Sequence, residues 1–475
     1  MNAQVKHFSE AKNSMIQSAV NEHLADAATY KDQPQGQGQG LNSQLGFVHL
    51  LNKVLDSVGN SRQAGEHHES FVQHALDWMK HLVEKAELAF AHSDYATGFA
   101  ILEQYVEAML AGNTALAAQK LQALKYSDCD PAWVNSMLSW FTYYIDRMKT
   151  PEYVAYASLD DFAYQLPPTA TGTLRVGLIG DWGTGEGRAI EALTQLFALK
   201  PDFIIHLGDV YYSGTEHEYE VNFQGVIDKA RRSSGQHIPV YNMPGNHDYY
   251  SGGHAFYQSL KTVNQGATPG MPVQEASYFA LFNEAWHLQA MDTGYYDNDV
   301  LKVGRDTTHL KAEEVQWHQH QLDKALAAGR KVILLSHHQL FSRYLAIAGQ
   351  TYNPDLLSYF QSYIQRDAVC AWFWGHEHLA AIYEPYLGLA RGRCLGHGAV
   401  PIFYDAGTPY DEKASVGGTP LPNLPEVVVP PDTYCNDGTV YFQGFALLEL
   451  NADQTGQAKY YTTNQATPMY QEELS

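Results

Sequence analysis

Five apolar runs in the C-terminal two-thirds of the chain each lead into a short polar motif, and this alternation restricts the possible folds strongly. The runs have the length and composition of buried strands. They are TLRVGLI, DFIIHL, IPVYNMP, KVILL and CAWFW, beginning at 173, 202, 238, 331 and 370. Helical patterns at 188–200, 309–329 and 356–367 alternate with them. The order predicts an α/β core whose polar loops gather at the ends of parallel strands.

The polar motifs carry side chains that bind metal ions. They are GDWGTG (180–185), GDVYYSG (208–214), GNHD (245–248), LLSHH (334–338) and GHEH (375–378). Two aspartates, one asparagine, at least three histidines and one tyrosine among them are placed as candidate metal ligands. Such groups at neighbouring strand ends form a ligand set for two metal ions held close together. The first motif lacks the GxxxxGK spacing of a nucleotide-binding P-loop, which excludes that site.

The N-terminal third differs in pattern from the rest. Apolar residues at spacings of three and four predict an all-helical region over 1–150, interrupted by a flexible Gln- and Gly-rich stretch at 33–42. Positions 151–172 lose this periodicity and gather prolines. We therefore expect a helical bundle domain with its linker over 1–165 and a catalytic domain over 166–475. No chemistry is assigned to the bundle, whose histidines are interpreted as polar helix faces.

Charge and cysteine usage limit the partners and the compartment. The net charge of −22 argues against nucleic-acid binding, which requires a basic patch. We expect a cytoplasmic protein, because the first residues lack the apolar core of a signal peptide and no apolar run approaches a membrane span. Export without a cleavable signal peptide is the alternative. The four scattered cysteines indicate reduced thiols, with a Cys394–Cys435 bridge open for an exported chain.

Over roughly 173–465, the five motifs resemble those of the calcineurin-like metallophosphoesterases, and within that superfamily they look like the purple acid phosphatases. The resemblance implies a metallophosphoesterase-type β-sandwich flanked by helices, an α/β fold in layers, here preceded by the all-helical domain. It also implies a hydrolase that cleaves phosphate esters with metal-bound hydroxide.

The same resemblance implies the metal ligands. Many relatives place a histidine two residues after the first aspartate, where this chain has Gly183. Tyr212 matches the family's GDxxY pattern, in which a phenolate binds a ferric ion, and would replace that ligand. The implied ligands are Asp181, Asp209, Tyr212 and His378 for the first ion, and Asp209, Asn246, His337 and His376 for the second.

Two further assignments concern histidine pairs and the catalytic residues. The family's ligand in the fourth motif usually has proline two residues later, where this chain has Gln339. This favours His337 as the ligand and leaves His338 open. His247 is expected to contact the phosphoryl group or to protonate the leaving alkoxide. Asp248 is expected to orient the imidazole of His247.

The implied cofactors are two metal ions, with iron at the first site and iron, zinc or manganese at the second; manganese or zinc pairs are the alternative. The expected activity is that of an acid-phosphatase-like phosphomonoesterase acting on a small phosphorylated substrate. A phosphodiesterase or a nucleotide pyrophosphohydrolase is the alternative within the same chemistry. In a different class, the protein would be an exported effector that docks a partner, or itself, through 1–165.

Overall fold

The computed structural model describes residues 149–266, 270–299, 308–402, 413–416, 418–430, 434 and 440–474, with four isolated positions before 149. The chain divides into two compact units, Met1–Pro131 and Ala132–Ser475. The predicted helical domain therefore lies almost entirely outside the described residues. Among the helices that are described, none is long and apolar enough to cross a membrane.

The described part of the second unit alternates strands and helices. Its strands are β1 (Ala163–Gln165), β2 (Thr173–Ile179), β3 (Phe203–His206), β4 (Val240–Asn242), β5 (Phe279–Phe282), β6 (Trp286–Ala290), β7 (Lys331–Leu335), β8 (Val369–Trp374), β9 (Ala380–Ile382), β10 (Gly392–Leu395), β11 (Ser415–Val416), β12 (Thr419–Pro420), β13 (Gly444–Asn451), β14 (Gly456–Thr462) and β15 (Tyr470–Glu473). Its helices are α1 (Gly187–Ala198), α2 (Glu216–Glu218), α3 (Gly225–Ser234), α4 (Asn246–Tyr249), α5 (His254–Leu260), α6 (Ala312–Ala327) and α7 (Pro354–Gln365), and a π-helical turn (Tyr219–Gln224) joins α2 to α3.

Two mixed sheets form a sandwich. One has the strand order β1-β5-β6-β7-β8-β10-β9 and the other the order β15-β14-β13-β2-β3-β4. Strands β2, β3 and β4 are parallel to one another, as are β6, β7 and β8. The predicted β-sandwich fold is confirmed. The parallel strands β6, β7 and β8 lie at the centre of the seven-stranded sheet, and β2, β3 and β4 form one half of the other sheet, with β4 at its edge.

Strand β2 shows how the sandwich is filled. Leu174, Val176 and Leu178 belong to the core shared with the seven-stranded sheet. Ile179 belongs to a second core, which contains apolar residues of α1, α3 and α5 such as Leu196. Because side chains alternate along a strand, one apolar run such as TLRVGLI can serve both cores.

The segment 151–165, expected as a linker, packs on the seven-stranded sheet. Strand β1 pairs in parallel with β5, and the indole N–H of Trp317 on α6 donates a hydrogen bond to the Asp161 carbonyl (2.8 Å). These contacts fall before the expected domain boundary at 165/166. The loss of helical periodicity at 151–172 marked the end of the helical sequence pattern. It did not indicate that this segment contains the short strand β1.

Cys394 on β10 is a free, buried thiol. Its sulfur lies 3.4 to 3.6 Å from the carbonyl oxygens of Gly375, Glu377 and Leu379. Cys435, the partner considered for a bridge, lies outside the described residues. The Cys394 thiol packs against the turn that carries the GHEH motif.

Candidate metal centre

The five motifs meet where the two sheets present the C-terminal ends of their parallel strands. Asp181 and Asp209 follow β2 and β3, and Asn246 follows β4 in the same sheet. His337 and His376 follow β7 and β8 of the facing sheet. The site is thus assembled from both halves of the sandwich, and the sequence could indicate the strand ends but not that two sheets supply them.

Three donor atoms gather around the position expected for the first ion. The Asp181 Oδ1 atom lies 2.9 Å from the phenol oxygen of Tyr211, which lies 2.8 Å from Nε2 of His378. The Asp181 and His378 atoms are 3.7 Å apart. The structure therefore brings together Asp181 and His378 as predicted, and adds Tyr211.

Four residues gather at the position expected for the second ion. Nε2 of His337 lies 3.4 Å from Oδ2 of Asp209, 3.2 Å from Oδ1 of Asn246 and 3.3 Å from Nδ1 of His376. The Asn246 and His376 atoms are 3.2 Å apart. Donor atoms of Asp181, Asp209 and His337 also lie within 4.8 Å of one another, which places Asp209 between the two groups. Carboxylate, amide and imidazole donors at these separations fit two metal ions that share Asp209.

Tyr212, the predicted phenolate ligand, forms two backbone hydrogen bonds near the site. Its N–H donates a hydrogen bond to Oε1 of Glu218 (2.6 Å), and its carbonyl accepts one from Nδ1 of His247 (2.7 Å). It is the neighbouring Tyr211, 1% exposed, whose hydroxyl reaches Asp181. Spacing along a loop does not determine which of two adjacent tyrosines turns inward, so the sequence did not identify Tyr211.

Gly183 cannot carry the side chain that many relatives have there. A Cβ atom at this position would lie 2.4 Å from the carbonyl oxygen of Asp209 and 2.7 Å from Cα of Val210. The two loops are bridged directly, since the N–H of Tyr211 donates to the Gly183 carbonyl (2.9 Å). The close approach of the loops requires glycine and delivers Tyr211 to the site.

His337 and His338 differ in their partners. Nδ1 of His338 lies 3.0 Å from the Thr293 hydroxyl, and its Nε2 lies 3.0 Å from a carboxylate oxygen of Asp297. Nδ1 of His337 pairs with the Leu207 carbonyl (2.8 Å), which leaves its Nε2 among the predicted ligands. Donor atoms of both histidines lie near His376, but both nitrogens of His338 are already engaged. The geometry favours His337.

His247 faces the metal centre from α4. Its backbone N–H donates to Oδ1 of Asp209 (3.1 Å), and its ring packs edge-to-face on Tyr211 at 4.5 Å. Because the carbonyl of Tyr212 can only accept, Nδ1 of His247 carries a proton. The other nitrogen, Nε2, lies 3.8 Å from Oδ2 of Asp209, beyond hydrogen-bond distance.

Asp248 does not hold the imidazole of His247, which the Tyr212 carbonyl orients instead. One carboxylate oxygen of Asp248 accepts hydrogen bonds from the N–H groups of Asp209 (3.0 Å) and Gly245 (2.7 Å). The other accepts one from the hydroxyl of Tyr219 (2.6 Å). Asp248 therefore joins the second and third motif loops, a role that adjacency in the sequence did not indicate.

Electrostatics make the buried centre favourable for cations. Burial raises the pKa of Asp181 well above its usual range, although attraction to His337 opposes the shift. Burial has the same effect on Asp209, but there attraction to His337 and His247 outweighs it and holds the pKa well below its usual range. Burial opposes protonation of His337, yet attraction to Asp209 and Asp181 raises its pKa to about 9. A metal ion would take the place of this proton, so metal binding would release it.

Three predicted ligands have a strained backbone. Asp181, Asp209 and His376 adopt φ values of +57°, +76° and +67°, in the left-handed region that costs a non-glycine residue free energy. Such conformations persist where the surrounding structure fixes them, and they are concentrated at functional sites.

Comparison with known proteins identifies one family. Residues 174–380 match the calcineurin-like phosphoesterases. No curated protein sequence matches the chain significantly.

Solved structures give more distant similarities. A purple acid phosphatase from yellow lupin (Lupinus luteus) is 15% identical, with a TM-score of 0.42; the match covers 63% of this chain and 53%, about half, of the lupin protein. A dimetal phosphatase from Danio rerio is 13% identical, with a TM-score of 0.40, over 64% of this chain and 98% of that one. The anchor protein in the inner membrane complex of Plasmodium is also 13% identical, with a TM-score of 0.40, over 64% and 89%.

Proposed function

Residues 174–380 belong to the calcineurin-like phosphoesterase family, and from this premise we propose that the protein is an acid-phosphatase-like phosphomonoesterase of the purple acid phosphatase type. Metal-dependent phosphoesterase activity follows from the family. One observation supports the proposal most: the two groups of candidate ligands share Asp209, and Nε2 of His247 lies 3.8 Å from Oδ2 of that carboxylate.

Two sets of ligands would hold the two metal ions needed for phosphate-ester hydrolysis. The first ion would be held by Asp181, Asp209 and His378 with a tyrosine, and the second by Asp209, Asn246, His337 and His376. Two bound ions supply a hydroxide nucleophile near neutral pH and offset charge on the phosphoryl oxygens. We propose iron at the first site and iron, zinc or manganese at the second.

His247 would act on the phosphoryl group. The protonated Nδ1 of His247 donates a hydrogen bond to the Tyr212 carbonyl. This bond orients the ring so that Nε2 faces the metal centre. When Nε2 is also protonated, it can donate to a phosphoryl oxygen or to the leaving alkoxide. Asp248 would support this step by fixing the loops of Asp209 and Gly245, with no contact to the substrate.

Steady-state assays on para-nitrophenyl phosphate, its bis-ester, ATP and cyclic AMP test the proposal. We expect turnover of the monoester to exceed that of the other substrates. His247→Ala should lower kcat by about 10²–10⁴-fold. His320→Ala, an exposed histidine that pairs with Asp160 on the surface, is the control and should retain activity.

Two results would contradict the proposal. Faster turnover of the bis-ester, ATP or cyclic AMP would replace the monoesterase by the diesterase or pyrophosphohydrolase alternative. Retention of most turnover in Asp209→Asn or His247→Ala would remove these residues from the chemistry.

A further inference from the structure

The loop between β3 and α2 carries adjacent tyrosines, and their surroundings differ. The phenol oxygen of Tyr211 lies 2.9 Å from Oδ1 of Asp181 and 2.8 Å from Nε2 of His378. Ligand atoms bound at about 2 Å from one ion lie about 3 Å from each other. The three atoms are therefore spaced as ligands of a single ion.

We propose that the phenol oxygen of Tyr211, not that of Tyr212, is a ligand of the first metal ion. The inference rests on the proposed two-metal function and specifies a ligand within it. It places the tyrosine ligand two residues after the bridging Asp209, one residue earlier than the GDxxY spacing predicts.

The loops on either side hold Tyr211 in place. Its backbone N–H donates to the Gly183 carbonyl (2.9 Å), and its carbonyl accepts a hydrogen bond from Nδ2 of Asn222 (2.8 Å). The His247 ring packs against the phenol ring at 4.5 Å. Tyr211 is 1% exposed, and contacts at both backbone groups and at its ring hold it in this position.

The backbone of Tyr212 takes part in the hydrogen bonds that fix the conformation of this loop. The Glu218 carboxylate accepts hydrogen bonds from the N–H groups of Tyr212 (2.6 Å), Ser213 (3.1 Å) and Thr215 (2.9 Å). On the other side, the Tyr212 carbonyl holds His247. If Tyr212 took the position of Tyr211, its backbone would have to rotate, and its hydrogen bonds to Glu218 and His247 would break.

The donor set at the first position also has a place for one more ligand. Gly183 offers no side chain and has no room for one, because its Cα faces the backbone of Asp209 and Val210. Asp181, His378 and the shared Asp209 are then the other side chains of this set, and a phenol oxygen within 3 Å of Asp181 and His378 completes it. An oxygen donor of this kind suits ferric iron.

A matched pair of single-atom variants tests the proposal: Tyr211→Phe and Tyr212→Phe in the full chain. The readouts are metal content per chain after dialysis against a chelator, the visible spectrum, and far-UV circular dichroism as the check on folding. We expect Tyr211→Phe to weaken retention of one ion by at least about tenfold and to abolish any phenolate-to-ferric band. Tyr212→Phe should keep both the ion and the band.

The outcomes separate this proposal from the proposed function. If the wild type is colourless, a ferric ion bound by a phenolate is excluded, and the retained metal content still compares the two variants. If the wild type binds two ions but hydrolyses no phosphate ester, the function fails while the ligand assignment stands or falls by the same comparison. Loss of the ion or band in Tyr212→Phe alone, equal retention in both folded variants, or no metal in the wild type would overturn the assignment.

Discussion

The phenol oxygen of Tyr219 lies 2.6 Å from Oδ1 of Asp248 and donates a hydrogen bond to it. The Tyr219 oxygen in turn accepts a hydrogen bond from the Asn242 side chain (3.3 Å). Because Asp248 also binds the N–H groups of Asp209 and Gly245, a residue outside the five motifs helps to fix the loop of the bridging carboxylate. The chain of contacts is buried throughout, so each missing partner would leave a polar group without compensation.

Tyr219→Phe should therefore lower both stability and activity. Removing the hydroxyl leaves one oxygen of buried Asp248 without its donor, at a cost of about 1–3 kcal/mol in the free energy of unfolding. Because the loop of Asp209 loses its support, we expect kcat and metal retention to fall as well. Urea unfolding, steady-state kinetics and metal analysis measure the three effects.

Tyr460→Phe is the matched control. The hydroxyl of Tyr460 also donates to a carboxylate, Glu472 on β15, over 2.6 Å, and its side chain is as buried as that of Tyr219. It should cost less stability than Tyr219→Phe, because Nε of Arg393 also donates to the same Glu472 oxygen (2.7 Å), and it should leave metal content unchanged. Equal kcat and metal content in the two variants would mean that Tyr219 has no role at the centre.

Asp248 should tolerate asparagine better than alanine. Asparagine keeps an oxygen that accepts from Asp209 and Gly245, and the Tyr219 hydroxyl can rotate to accept from the new amide. Alanine leaves two buried N–H groups unpaired, at a cost of about 1–3 kcal/mol each. Urea unfolding should show a small loss for Asp248→Asn and a large one for Asp248→Ala. If Asp248→Asn instead keeps full stability and loses as much kcat as His247→Ala, Asp248 acts on the chemistry and not on the loops.

Strands and motif positions could be predicted because they depend on local pattern. The runs at 173–179 and 331–335 became β2 and β7 without change, since a continuous apolar run bounded by polar residues suits a strand buried on both faces. Predicted ligands such as Asp181 and His376 fell at strand ends for the same reason.

The parts that could not be predicted depend on contacts between distant segments. Tyr219 and Asp248 are 29 residues apart, and nothing in either local pattern indicates the bond. Tyr211 and Tyr212 are chemically identical, so only the packing of their loop against Gly183 and Glu218 decides which one faces Asp181. The spacing of residues along the sequence identifies the motif, but contacts between distant segments determine which of its side chains reaches the site.

Gly245→Ala should disrupt the second ion's position by steric contact alone. A Cβ atom there would lie 2.1 Å from Oδ1 of Asp209 and 2.7 Å from Nε2 of His337. The backbone at Gly245, with φ of −98°, is accessible to alanine, so no conformational strain contributes. We expect retention of one ion to weaken by about 10–100-fold, a range typical of disturbed metal sites, as measured by metal analysis after chelator dialysis.

Gly187→Ala provides the comparison, because a Cβ atom at this first residue of α1 meets nothing within 4 Å. It should leave metal retention and kcat unchanged. Two firmly bound ions in Gly245→Ala would show that Asp209 and His337 can move apart without loss of the centre.

Glu314 should make stability fall as pH rises. Its buried carboxylate accepts the N–H of Asp292 (2.9 Å) and lies 3.1 Å from Nε2 of His318. Burial raises the pKa of Glu314 from 4.5 to about 8. The folded chain then holds this proton more tightly than the unfolded chain, so the contribution is complete below pH 4.5 and is lost as pH rises through about 8.

Neighbouring groups define the best window for the measurement. Burial lowers the pKa of His318 from 6.5 to about 3, so its contribution is complete above pH 6.5 and changes little from there upward. Burial raises the pKa of Asp292 to about 7, which adds to the loss with rising pH. Between pH 6.5 and 8, the free energy of unfolding should therefore decline, with Glu314 contributing a slope of up to about 1.4 kcal/mol per pH unit.

Urea unfolding at pH 6.5, 7.25 and 8 of the wild type, Glu314→Gln and Glu313→Gln tests this. Glutamine at 314 cannot ionise, so the stability difference between this variant and the wild type should shift in favour of the variant as pH rises. The comparison cancels contributions of the metal centre, which are common to both proteins. Glu313, on the same helix with a side chain 46% exposed, is the control and should follow the wild type. If Glu314→Gln also follows the wild type across this window, Glu314 is ionised in the fold and forms an ion pair with His318.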